Sequence, residues 1–346
     1  IADGTVRGGT AKYAGTIYVS KSSKANGDVP GTLNISGGTV IGGVATSEEE
    51  NPYAGAIFVT NSNFIMTGGK VTGGEARSAA KTAIGGNIYL TGNDSCIFQI
   101  TGGIIENGTA TNGNGGNIYL ATGTLTIGGD AVITGGVADR AVARTNGGGN
   151  IYGQVSTILN INGGTIADGN CVNSFGGNVF TRGTLNMTDG VISGGTAING
   201  GNVFINGYDN ERIFTMTGGI IKDGTATTGK IDRINMVKPA YDGDNIYINS
   251  AVLNISGGEI QDNDGGNAIL AYTAKSEHPA IVNLTAKDNA VLSASLDSKI
   301  YLINGAEIYA DLGGTNADSD GDKIWVIEGY GAEAPSQPGE TEPSVE

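Results

Sequence analysis

Residues 113–120 read "GNGGNIYL", and the stretch recurs with small changes as "GGNIYL" at 85–90, "GGNIY" at 148–152, "GGNVF" at 176–180 and "GGNVFI" at 200–205. Two glycines, an amide, a branched aliphatic and an aromatic thus return through most of the chain. A word of this kind is either a binding motif used many times or a unit of construction. Its spacing decides between them. Successive copies start as close as 22 residues apart (245 to 267) and as far as 43 (202 to 245), so the word is fixed while the segments between copies vary. Repeats at such intervals are the mark of stacked architectures.

Two further words travel with the first. One is "TLNI" 32–35, "IFQI" 97–100, "ILNI" 158–161, "TLNM" 184–187 and "VLNI" 252–255; the other follows a Gly pair, as "KVTGG" 70–74, "IIENG" 104–108, "TIADG" 165–169 and "IIKDG" 220–224. Each is too short for a helix and the right length for a strand. Three short strands per unit, with no helical segment between them, predict an all-β parallel β-helix of about ten coils, each strand stacked about 4.8 Å from its copy in the next coil. In the second word the alternate residues Leu33 and Ile35, Phe98 and Ile100, and Leu185 and Met187 are expected to fill the core, leaving Asn34, Gln99 and Asn186 facing water. Length variation falls between words, at 20–31 and most of all at 225–242, where insertions would leave the corners of the coil.

Composition agrees. Of 346 residues 61 are Gly, more than twice the usual share of about 7%, as a chain of tight turns requires. The net charge is −15. That excludes a nucleic-acid footprint, which needs clustered Lys and Arg, and it disfavours anionic membrane surfaces. No run of 18 apolar residues exists to insert into a membrane. The two cysteines, Cys96 and Cys171, fall far apart in the repeat frame, so no disulfide is expected. The chain opens "IADGTV", which matches "IADGNC" at 166–171 inside a repeat, and it therefore reads as cut from a longer protein. Residues 1–330 form the solenoid, with a terminal coil or cap from about 290 where the words loosen, and 331–346, "GAEAPSQPGETEPSVE", read as a Pro/Glu-rich linker or tail.

Several rows of repeated residues are candidates for function. The amides Asn87, Asn117, Asn150, Asn178, Asn202, Asn245 and Asn267 are predicted to form an asparagine ladder at the turn. The aromatics Tyr18, Phe58, Tyr89, Tyr119, Tyr152, Phe180, Phe204 and Tyr247 follow an Ile or Val that is expected to point inward. Period two allows either the aliphatic or the ring to point inward; the aliphatic is favoured because the fourth position drifts to Gly153 and Thr181, and the rings would then face outward. There they form either a stacking platform for sugar rings or a partner surface, or a cross-coil stack that covers the sheet or is covered by the long loops. Asp168, Asp223 and Asp262 share one turn position. Asp223 and Asp262 would sit in successive coils at the separation of a catalytic carboxylate pair, but Gly73, Asn107 and Gly194 hold the same position elsewhere, which is the residue choice of a left-handed turn. Asp318, Asp320 and Asp322 in "NADSDGDKI" alternate around Gly321 like the first half of a calcium loop, without the closing bidentate acid. Calcium is thus the only cofactor suggested, and a solvated acidic turn is the competing reading.

The Gly-Gly-X-Ile word resembles the Gly-Gly-Ala-Ile repeats of polymorphic outer-membrane proteins and the adhesin-like right-handed β-helices of bacteria and methanogens, over roughly residues 1–290. Asn in place of Ala, together with the Pro/Glu-rich tail, is similar to surface proteins of Gram-positive gut anaerobes. The resemblance implies a right-handed coil in a secreted or wall-attached bacterial protein. It would be a non-enzymatic adhesin, stalk or filament subunit meeting a host or microbial surface glycan or protein, or its own copies end to end or side by side. Right-handed β-helices also include pectate lyases and polygalacturonases, so a carbohydrate-active enzyme is the alternative; no catalytic residue carries over.

Overall fold

A computed structural model describes residues 1–22, 29–139, 147–208, 212–227, 243–261, 267–285, 290–291, 300–303, 306–311 and 326–327. Within them the chain is a right-handed parallel β-helix without any helix. Two sheets of 13 and 11 strands run the length of the described tower, a third of 8 strands runs from Thr10–Ala11 to Thr225–Ala226, and every strand pairing in them is parallel. Ten spacings in the 11-stranded sheet give a height of about 50 Å.

The first word builds the 11-stranded sheet. Its strands include Ile57–Thr60, Ile88–Thr91, Ile118–Leu120, Ile151–Gly153, Val179–Thr181 and Val203–Asn206. Like residues meet in register, Ile88 beside Ile118 and Tyr89 beside Tyr119. The aliphatic position is fully buried in each of these strands, as its periodicity predicts.

The second and third words are distributed differently from the expectation of one sheet each. They are the two arms of a single strand, as in Thr32–Ile41, Asn63–Thr72, Thr184–Ser193 and Ile213–Lys222. The Gly pair between the arms, or Asp189-Gly190 in Thr184–Ser193, bends the strand, and in pairings such as Thr32–Ile41 with Asn63–Thr72 the register slips there and then recovers. Extended backbone on both sides keeps the ladder going, so the pair acts as a bulge at a corner and not as a strand end. The third sheet comes instead from the short segments after the third word, such as Val44–Thr46, Glu75–Arg77, Thr109–Thr111 and Val137–Asp139. Their inward positions are Ala45, Ala76, Ala110 and Ala138, then Cys171 and Ala197, small enough for the tight end of the coil. Cys96 and Cys171 are both buried and are not joined in a disulfide.

The core is one continuous column. Ile35, Phe64, Met66, Phe98, Ile100, Leu185 and Met187 pack against the aliphatics of the first word. Burial of each such side chain is worth about 1.5–3 kcal/mol. Beyond residue 290 the described strands extend the same sheets: Ile300–Ile303 pairs with Asn267–Tyr272, and Glu307–Asp311 with Ile281–Thr285.

The two glycines before each ladder Asn differ in their reason. The first is left-handed, with φ of +71° at Gly85, +67° at Gly115 and +74° at Gly148. The second has no room: a Cβ on Gly116 would lie 2.2 Å from the Gly149 carbonyl oxygen and 2.2 Å from the Val137 nitrogen. Gly73 is the contrasting case, with φ of +69° and nothing within 4 Å of an added Cβ. Gly73→Ala should therefore cost about 1–2 kcal/mol from backbone strain alone, whereas Gly116→Ala should cost at least about 3 kcal/mol, because it pushes two coils apart. Urea denaturation midpoints of the two variants measure the difference; equal midpoints would show that coil-to-coil contact at the turn is not limiting.

Candidate functional site

The turn amides form the ladder that the sequence predicts. Each Asn Nδ2 donates to the Oδ1 of its copy in the next coil, from Asn87 to Asn117 at 2.8 Å, and at 2.7 Å from Asn117 to Asn150, Asn150 to Asn178, Asn178 to Asn202 and Asn202 to Asn245. The second Nδ2 hydrogen reaches a carbonyl at the end of the third word, as Asn150 does to Ala167 at 2.7 Å. The Oδ1 also accepts from a backbone N–H of the third-word turn, Gly136 in the case of Asn150 at 2.9 Å. All four hydrogen-bonding valences of such an amide are filled, and all six of these side chains are 0% exposed. The seventh candidate, Asn267, opens the strand Asn267–Tyr272; its side chain lies outside the described residues. Below Asn87 the position holds Ala56 and Thr16, and Thr16 Oγ1 donates to the Ile41 carbonyl at 3.2 Å.

The aromatic row is a single stacked column on the far side of the first-word sheet from the main core. Centroid separations are 5.0 Å for Tyr18 and Phe58, 4.7 Å for Phe58 and Tyr89, 4.8 Å for Tyr119 and Tyr152, and 5.0 Å for Phe180 and Phe204. Ile does point inward and the rings outward. The rings are nevertheless not an open platform. Phe58, Tyr119, Tyr152, Phe180, Phe204 and Tyr247 are buried and Tyr89 is half-buried; only Tyr18, on the edge strand, is 55% exposed.

The cover is a second apolar core made by the segment just before each Gly-Gly turn. Tyr53 meets Tyr89 edge-on at 4.9 Å, Phe175 stacks on Phe204 at 4.7 Å, and Ile84 and Ile198 close the rest. These segments run beside one another, through bridges from Tyr53 to Ile84 and from Phe175 to Asn199. Sequence reasoning missed them because their residues do not repeat: Asn114 and Gly147 hold the corresponding places. The only available signal was a scattered large apolar residue one or two places before the Gly pair.

The shared acidic position is left-handed, with φ of +54° at Asn107, +53° at Asp168 and +54° at Asp223. This is the turn reading of those residues. Thr134 Oγ1 donates to Asp168 at 3.4 Å, and Lys222 lies 3.8 Å from Asp223. Asp262 lies outside the described residues, as do Asp318, Asp320 and Asp322. Among the described residues no group of three or more His, Cys, Asp or Glu is arranged to hold a metal ion. Glu106 lies 2.7 Å from Lys70 and accepts from Thr72. The Lys70 hydrogen bond holds its carboxyl below the ordinary glutamate range.

Burial raises the phenols of the column. Tyr89 is pushed up to about 12, chiefly by loss of solvent, and Tyr119 and Tyr247 are raised for the same first reason, with neighbouring phenols adding to it. The unfolded chain releases these protons near pH 10 and the folded chain does not. Their contribution to stability is thus complete below about pH 10 and falls as pH rises from there to about 12. Melting temperature should drop over that window, and a Tyr119→Phe/Tyr247→Phe protein should lose less of it between pH 9.5 and 11.5; identical losses would contradict the burial of these hydroxyls.

Asn150→Ala should orphan the Gly136 N–H and weaken three further bonds, costing about 2–4 kcal/mol, whereas removal of the solvent-facing Asn160 amide, 2.9 Å from Asn186, should stay within about 0.5 kcal/mol. Paired chemical denaturation curves test the contrast, and similar costs would contradict a load on the buried ladder.

Comparison with protein-family models, with curated proteins and with solved structures finds no match to this chain, so its fold rests on its own geometry and its function on its own chemistry.

Proposed function

We propose that this chain is a non-enzymatic structural module of an extracellular, secreted or wall-attached protein, a stiff rod of the adhesin, stalk or filament type that carries corner loops and outer faces to a partner. One observation supports this reading above others. The residues repeated most faithfully, the turn Asn and the stacked aromatics, are spent on holding coil to coil, with inner ladder amides such as Asn117 and Asn150 bonded at all four valences and the rings beyond Tyr18 wholly or partly covered. A repeat whose reactive groups are consumed internally serves length and rigidity. The net charge of −15 keeps such rods apart in solution.

Incubation with a panel of plant and microbial polysaccharides should yield no new reducing ends and no unsaturated products; reproducible turnover would replace this reading with the carbohydrate-active one. Brief protease treatment of intact cells of the source organism should release fragments of this chain, and its confinement to the cytosolic fraction would overturn the surface assignment.

A further inference from the structure

The outer face of the 13-stranded sheet carries no charge over most of its length. Two solvent-facing rows flank its core-facing Leu, Phe and Met. One row runs from Thr32 through Ile97, Ile158 and Ile213, all exposed, then through the buried Val252 and through Ile281 to Glu307. The other runs in register from Asn34 to Tyr309 through Asn160, Asn186, Asn254 and Asn283. The two rows contain a single charged residue, Glu307 at the upper end, in a chain in which 15% of residues are charged. On the other side of the Gly-pair bend the same strands carry Lys70, Glu106, Lys222 and Glu259, so the neutrality belongs to this face and not to the sheet.

The face has the mixed chemistry of a sugar-binding surface. Aliphatic side chains stand beside amides that are already aligned by their own bonds, Asn186 donating to Asn160 at 2.9 Å and Asn283 to Asn254 at 2.7 Å. At its upper end Asn254, Ser256, Asn283, Thr285 and Tyr309 line an open cleft of about 650 Å³. Tyr309 is 58% exposed there, and its hydroxyl is held by Glu307, which fixes the ring as a stacking surface. A sugar ring offers an apolar C–H face and a rim of hydroxyls, matching an aromatic or aliphatic patch with amides at its side.

Charge selects the class of partner. With −15 on the rod, an acidic polysaccharide or a second copy of this chain would meet repulsion within about 8 Å at physiological salt. An uncharged polymer meets none, and below Glu307 this face has no charge to desolvate. We infer that this face, with the Tyr309 cleft as its anchoring end, is a binding surface for an extended neutral polysaccharide. The inference goes beyond the structural role proposed above and does not depend on it: the rod can be a spacer whether or not this face is occupied.

The test is a depletion assay of the full chain against insoluble cellulose, chitin and β-1,3-glucan, with soluble polygalacturonate as the acidic competitor. At least one neutral polymer should remove the protein from solution, and polygalacturonate should not compete. Tyr309→Ser and Asn186→Lys should each weaken retention at least about tenfold, with melting temperature and sedimentation coefficient unchanged. Tyr18→Ser, at the exposed end of the aromatic column, should bind as the parent does. The inference is overturned if no neutral polymer retains the chain, if polygalacturonate displaces it, or if both face variants bind like the parent. It is equally overturned if sedimentation shows a dimer that Asn186→Lys dissolves, which would make the face a contact between copies. None of these results alters the turnover assay on which the structural reading rests.

Discussion

The structure depends on how a parallel β-helix turns its corner without leaving backbone polar groups bare. At the Gly-Gly-Asn turn the chain comes too close to its neighbouring coils for any side chain on the second glycine, and water is excluded. The turn N–H and C=O groups must be satisfied from within. The Asn amide does this in two directions at once. It bonds the backbone of the third-word turn across the coil, and it bonds its own copy along the tower. An amide is the smallest side chain with two donors and two acceptor lone pairs; a carboxylate in its place would lack donors and a hydroxyl would have only one. The glycines and the amide are therefore one device.

From that corner the two cores follow. Fixing the Asn fixes the direction of the next strand, so the aliphatic after it points into the coil and the aromatic away from it. The inner column is built of Ile, Leu, Met and Phe at regular positions. The outer column is a stack of rings in offset, near-parallel geometry, in which each pair adds about 0.5–1.5 kcal/mol beyond its burial. Rings of this size left open along the tower would be an extended apolar stripe. The chain covers them with whatever large side chain precedes the turn, Tyr53, Ile84, Phe175 or Ile198. Rows that appear equivalent along the sequence thus divide by environment. The rings and turn amides serve cohesion, while the outer rows of the long strands, Ile97, Ile158, Ile213 and Tyr309 among them, remain in contact with solvent.

Much of this was legible beforehand because a solenoid writes its structure into its spacing. Three words at loop-modulated intervals imply stacked parallel strands. The alternation Leu33, Asn34, Ile35 assigns inside and outside, and an Asn recurring at a Gly pair implies a ladder. Two parts were not legible. The run "TLNISGGTVI" at 32–41 was expected to fall into two sheets, because a Gly pair commonly ends a strand; here the chain remains extended through the bend and the register slips instead. The other was the fate of the aromatics. Period two allows them inside or outside the inner core, the drift of the fourth position to Gly153 and Thr181 favours outside, and neither says whether anything lies over them.

What the sequence determined by itself is periodic: the fold, the inward aliphatics, the amide ladder, the left-handed turn positions at Asn107, Asp168 and Asp223. Each arises from a residue meeting its own copy one coil away, and a repeat carries that information. What only the tertiary structure decided is aperiodic: the burial of the aromatic column beneath residues that share no identity from coil to coil, and the joining of two words into one bent strand. Cover depends on which surfaces come within van der Waals reach after the coils have closed, and no spacing along the chain encodes it.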